Sequence, residues 1–110
     1  MKISFDFDST LDKERMQRLA KKFIDDGHEV WITTTRLDQE HAPRPNWNYA
    51  LIEVANKLGI PEERWTFTNA KDKWTFLDGF DIHFDDDPYE IGFMEENNVD
   101  CVGVLIPYKN

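Results

Sequence analysis

The chain has 110 residues, enough for one hydrophobic core and too few for two. An apolar content of 40%, with 14% aromatic residues, argues against disorder. A formal charge of −9 argues against a broad basic surface for nucleic acid and against docking on anionic membranes. A nucleotide or a nucleic-acid end held at a local site stays compatible with that charge. The one cysteine, Cys101, cannot make an internal disulfide, and its apolar surroundings mark it as a core residue in a reducing compartment. Asp6 and Asp8 interrupt the apolar N-terminus at once, so it does not read as a signal peptide, and no apolar run approaches bilayer-spanning length. The expectation is a soluble cytoplasmic domain with no membrane partner, its oligomeric state open.

The opening segment reads as a strand, with Ile3 and Phe5 alternating against Ser4 and Asp6. Asp6 and Asp8 follow where the strand should end, and extended geometry puts both on one side. Two unit charges about 4 Å apart repel by roughly 4 kcal/mol at an effective dielectric near 20. Such a pair calls for a proton, a cation or solvent. From Asp12 to Asp26, Met16, Leu19, Ala20, Phe23 and Ile24 mark one buried helical face, with Asp12 as N-cap and Gly27 as stop. Val30 to Thr34 is a β-rich apolar run. The segment 37–48 holds Pro43 and Pro45 without periodicity and reads as a loop longer than a connector needs.

A second helix is expected from near Trp47 to Leu58, capped by Asn46, with Leu51, Val54 and Leu58 facing the core. Trp65 to Thr68 is a short strand, Asn69 to Gly79 a brief helix carrying Trp74 and Leu77, and Phe80 to Phe84 a strand ending in Asp85-Asp86-Asp87. Asp87 followed by Pro88 reads as N-cap and first position of a helix ending near Asn97-Asn98. Val99 to Ile106 is continuous enough in apolar residues to suggest a strand covered on both faces. Strands alternating with helices, five of each to within one element, give a layered α/β sheet whose ligands gather at the carboxyl ends of the strands. Asp6, Asp8, Thr34 and Asp85 to Asp87 would then share one rim.

That rim would hold up to five carboxylates, an oxygen-only set that suits a hard ion, Mg²⁺ before transition metals. No His/Cys spacing resembles a zinc site, and His28, His41 and His83 read as structural or surface residues. The five glycines are isolated, so no Gly-rich phosphate loop exists. A phosphate would need Mg²⁺, hydroxyls, amides and a lysine, for which Lys71 and Lys73 are both available. Carboxylate, Mg²⁺, hydroxyl and lysine around one point are the parts for phosphoryl transfer through an aspartyl-phosphate.

The motif Asp6-Phe7-Asp8-Ser9-Thr10-Leu11 resembles the D-x-D-x-[TV]-[LV] opening of the haloacid dehalogenase (HAD) superfamily. Val30 to Arg36 resembles its second motif, an apolar strand ending in T-x-R. Lys73, or else Lys71, serves as the third, and Ile82 to Asp86 is similar to the fourth. The resemblance implies a small capless, three-layer Rossmann-like domain over residues 1–110 with a mainly parallel five-stranded sheet. It implies a Mg²⁺-dependent phosphomonoester hydrolase with Asp6 as nucleophile and Asp8 as general acid and base. Thr34, Thr35 and a lysine (Lys73 or Lys71) would bind phosphate and Arg36 the substrate. Asp6, Asp8 through its backbone carbonyl, Asp85 and Asp86 would hold the metal. Two departures stand out: Ser9 to Asp12 leaves almost no room for the family's usual flap, and only the 37–48 loop could cover the site. An open site of this kind goes with a nucleotide, a polynucleotide end or another large phosphorylated substrate. The alternatives are a catalytically weak or inactive metal- and phosphate-binding relative and, less favoured, a receiver-like phosphoacceptor domain. The latter would need a late lysine, for which only Lys109 offers itself.

Overall fold

Alternating apolar residues build the centre of the sheet and decide which way its polar residues point. In this computed structural model, which describes residues 1–107, strand β1 (Lys2–Phe5) pairs in parallel with β2 (Glu29–Thr34) on one side and β4 (Ile82–Asp85) on the other. The edges are β3 (Trp65–Phe67) beside β2 and β5 (Val102–Leu105) beside β4, both parallel. The order is β3-β2-β1-β4-β5, so the sheet is wholly parallel. Phe5 sits opposite Ile32 and Phe84, and its ring stacks on that of Phe84 with centroids 4.8 Å apart.

Helices cover both faces. Ile3, Phe5, Val30 and Ile32 pack with Met16 and Ala20 of α1 (Glu14–Asp25) and with Leu51, Ala55 and Leu58 of α2 (Tyr49–Leu58). On the other face Leu77 and Phe80 pack with Ile91 and Met94 of α3 (Pro88–Glu96). The architecture is therefore α/β and compatible with a Rossmann-like fold. The chain winds outward from β1 through β2 to β3, then returns to β4 on the opposite side, which puts the topological switch point between β1 and β4. A crevice opens there at the carboxyl ends of the strands, where such sheets bind ligands.

Several expected elements differ. Three α-helices form instead of about five, because the segment 69–79 supplies only a 3₁₀ turn, Lys73–Phe76. Asp12 does not cap α1. Lys13 holds the N-cap position, and the Asp12 amide closes a wide turn by donating to the Phe7 carbonyl. Asn46 does not cap α2 either; Asn48 holds that position, with its side-chain amide donating to the Leu37 carbonyl. Strand β5 is not covered on both faces. It lies at an edge, where Val102 is 63% and Leu105 50% exposed, although Val104 packs partly into the larger core and α3 lies over Gly103. Cys101 is half-buried rather than deep in the core. Asp87 does cap α3, accepting from the Tyr89 amide at 2.9 Å, and that helix ends at Glu96 with Asn97 as its C-cap. Lys109 lies outside the described residues. No helix among the described residues is long and apolar enough to cross a membrane.

Candidate functional site

Asp6 directly follows β1 and Asp85 is the last residue of β4, so the strand pairing alone brings them to the two sides of the switch point. Asp6 is anchored there by its amide, which donates to the Phe84 carbonyl at 2.9 Å. Immediately after it, Phe7–Leu11 forms one wide turn, closed by Leu11 N–H donating to the Asp6 carbonyl at 3.1 Å. Ser9 takes a positive φ of 62° to complete this turn. The Thr10 hydroxyl of this turn points back, 3.2 Å from Asp6 Oδ2 and 3.4 Å from Asp86 Oδ1.

The 3₁₀ turn that replaces the expected helix delivers Lys73. Its ammonium donates to Asp6 Oδ1 at 2.8 Å and to Asp85 Oδ2 at 2.7 Å, with the lysine only 4% exposed. The Lys73 amide donates to buried Glu90 of α3, which seats the turn. Lys71 is exposed, its carbonyl accepting from the Thr68 hydroxyl and its amide donating to the Thr68 carbonyl. Of the two lysines the sequence leaves open, Lys73 is the one at the carboxylates.

Below Asp85 runs a buried polar chain. His83 Nε2 lies 2.8 Å from Asp85 Oδ2, His83 Nδ1 lies 2.9 Å from Ser4 Oγ, and Ser4 Oγ lies 2.7 Å from Thr33 Oγ1. These residues alternate with the apolar positions of β1, β2 and β4, so all of them fall on the sheet face opposite Phe5 and Ile32. Burial pushes His83 below its ordinary value, which keeps the imidazole neutral. One nitrogen then donates to Asp85 and the other accepts from the rotatable Ser4 hydroxyl.

The electrostatics follow from this packing. Burial pushes the Asp6 carboxyl up to about 8, with Lys73 opposing and Asp85 reinforcing the rise. Burial acts the same way on Asp85, but His83 and Lys73 outweigh it and hold that carboxyl below its ordinary value. Lys73 loses hydration on burial, yet the two carboxylates carry it above the usual lysine value. Asp6, Asp85 and Asp86 each offer one oxygen within 4.8 Å of the others, so the cluster could hold a metal ion. The donor set is all oxygen, which fits a hard cation.

The remaining expected site residues divide. Thr35 lines the cavity of about 380 Å³ over Asp6, together with Asp8, Ser9 and Asp85 to Pro88. Thr34 is buried, and its hydroxyl accepts from the Arg36 amide at 3.2 Å. The Asp8 carboxylate stands apart from the three-acid cluster, in a two-point ion pair with Arg36: Nε donates to Oδ2 and Nη2 to Oδ1, each at 2.9 Å. Asp87 borders the cavity while capping α3. His28 and His41 lie elsewhere, His28 against the Phe23 ring and His41 paired with Asp38. Burial pushes the Cys101 thiol up to about 11, so it stays protonated, as suits a packing residue.

The sequence reading assigned no site role to Thr10, Ser4 or Thr33, and took His83 for a structural or surface residue without its link to Asp85. Two signals were present: Thr10 is four residues after Asp6, one helical turn away, and His83 is a polar residue at an inward-facing strand position. No protein-family model, curated protein or solved structure matches this chain.

Proposed function

We propose that this chain is a Mg²⁺-dependent phosphomonoester hydrolase of the HAD type, a small capless member that works through an aspartyl-phosphate on Asp6. The observation that carries the reading is Lys73, buried and bridging Asp6 and Asp85 beside Asp86 at the switch point of the sheet. A lysine held between two carboxylates fixes the first as an aligned nucleophile and supplies positive charge for an incoming phosphoryl group. Bound at Asp6, Asp85 and Asp86, Mg²⁺ would supply the further positive charge that ionises Asp6 and neutralises phosphoryl oxygens.

An Asp6 carboxylate oxygen attacks phosphorus while the ester P–O bond breaks, and Asp8 gives its proton to the leaving oxygen. Asp8 then takes a proton from water, the water oxygen attacks phosphorus, and inorganic phosphate leaves with Asp6 restored. The Thr10 hydroxyl holds the Asp6 carboxylate at its second oxygen, and Thr35 offers a hydroxyl at the cavity wall. Asp8 must leave its Arg36 pair to carry a proton. That pair favours a second reading, a metal- and phosphate-binding domain with little turnover, in which Asp8 stays locked as its carboxylate.

The deciding assay is hydrolysis of a generic aryl phosphate with Mg²⁺. Activity that disappears in Asp6→Asn supports the hydrolase, and unchanged turnover in that variant overturns it. Mg²⁺ binding without turnover of any phosphate ester selects the second reading.

A further inference from the structure

Asp8 belongs to two neighbouring cavities. One is the acidic cavity over Asp6; the other, of about 340 Å³, is lined by Asp8, Arg36, Arg44 and Trp47. Their charges are opposite in character. The first holds five carboxylates, the second two guanidinium groups against one carboxylate, in a chain with 22 acidic and 13 basic residues.

Within the second cavity the two arginines do different work. Arg36 is fully engaged: it neutralises Asp8, and its Nη1 donates to the Trp47 carbonyl at 2.8 Å. Arg44 stacks over the Trp47 ring at 5.0 Å, and no carboxylate among the described residues pairs with it. Trp47 Nε1 is itself a buried side-chain donor without a partner. A buried N–H left unpaired is costly, and it marks the Trp47 ring as held by its packing rather than by a hydrogen bond. The shelf is also held in shape before anything binds. Asn48, 1% exposed, donates to the Leu37 carbonyl, and Asp38 exchanges two hydrogen bonds with Asn69. Because the guanidinium already covers the indole face, the shelf offers positive charge and N–H donors rather than an open aromatic surface for a base.

We infer that this shelf is the leaving-group subsite, and that the substrate is a phosphomonoester whose leaving group carries a second phosphate or phosphodiester anion. The inference rests on the hydrolase reading and deepens it. With the scissile phosphate over Asp6, the leaving oxygen faces Asp8, and the rest of the substrate extends toward Arg44. The second anion there gains a charge-assisted pair with Arg44.

The test compares adenosine 3′,5′-bisphosphate, a sugar bisphosphate and short oligonucleotides with a terminal phosphate against an aryl phosphate. Wild-type protein should prefer the substrates with a second anion, and Arg44→Ala should lower that preference about tenfold. Arg44→Lys, which keeps the charge but not the planar fork, should recover part of it. A preference for oligonucleotides over both bisphosphates identifies a polynucleotide end as the source of the second anion, and equal preference identifies a small bisphosphate. A ratio insensitive to Arg44→Ala overturns the subsite while leaving hydrolysis of the aryl phosphate as evidence for the reaction. Calorimetric binding of adenosine 3′,5′-bisphosphate to Asp6→Asn separates the two claims without turnover. An affinity that falls about tenfold in the Asp6→Asn/Arg44→Ala double variant supports the shelf, and an unchanged affinity overturns it.

Discussion

Asp6 is the residue at which burial and function pull hardest against each other. Its carboxyl is pushed up to about 8, from an ordinary value of 3.8, because burial outweighs the attraction of Lys73. The folded state therefore keeps a proton that the unfolded chain has lost. A group raised in this way contributes stability that is complete below 3.8 and is lost as pH rises through about 8. Its neighbours titrate in other windows. Asp85, held low, loses its contribution only in acid, and Lys73, held high, loses its own only in alkali. Asn at position 6 keeps a neutral hydrogen-bonding group and removes the titration. Without divalent cations, the melting temperature of the wild type should fall relative to Asp6→Asn between about pH 6 and about pH 8.5. Parallel curves in thermal scans across that range would show that Asp6 does not carry the raised value.

At the scale of elements, the polar chain from Thr33 through Ser4 and His83 to Asp85 joins β2, β1 and β4 across the face that bears Lys73. Its effect on Asp85 is specific. Oδ2 already receives His83 and Lys73, while Oδ1 receives only the Asp87 amide at 3.0 Å, which leaves Oδ1 as the oxygen free to hold a cation. A carboxylate limited to one oxygen suits six-coordinate Mg²⁺ better than Ca²⁺, which takes carboxylates by both oxygens. His83→Phe should destabilise the fold by about 2–4 kcal/mol, because it leaves Ser4 and Asp85 short of partners. It should also narrow the preference for Mg²⁺ over Ca²⁺. Denaturant unfolding and calorimetric titration with each metal measure the two effects, and an unchanged metal preference would argue that His83 serves packing alone. This chain also marks how far the sequence could be read. Alternating Ile3/Phe5, Val30/Ile32 and Ile82/Phe84 announced the strands, and the same alternation put Asp6 and Asp85 at strand ends. Long-range partners carry no such period: nothing local says that Ser4 meets His83, or that Lys73 rather than Lys71 reaches the rim. The segment 69–79 failed as a helix because its structure is set by where Lys73 and Leu77 are buried, and a 3₁₀ turn suffices for both. Asn48 likewise turns its side chain inward to the Leu37 carbonyl and the Arg36 guanidinium, a role invisible to a rule for helix caps.

For the whole molecule the question is how a chain of net charge −9 tolerates five carboxylates at one crevice. Local devices answer part of it: Lys73 lies between Asp6 and Asp85, Arg36 pairs with Asp8, and Asp87 sits at the N-terminus of α3, where the helix dipole favours a negative charge. Among the described residues Asp86 meets the Thr10 hydroxyl and the Asp6 carboxyl, with no cation beside it, and Asp6 keeps its raised value, so the crevice is left with a demand for positive charge. If a divalent cation meets that demand, it binds the folded chain and not the unfolded one. At a hundredfold excess over the dissociation constant it then stabilises by about 2.7 kcal/mol. For a domain of this size that corresponds to a rise in melting temperature of roughly 10 °C. General screening of a highly charged chain also raises stability, so the comparison is made against NaCl at matched ionic strength. The Mg²⁺ effect should exceed the NaCl effect, and the excess should shrink in Asp6→Asn and again in Asp85→Asn. A shift equal to that of NaCl would mean that the three carboxylates at the switch point are relieved by screening and Lys73 alone, and the metal would leave the proposed mechanism.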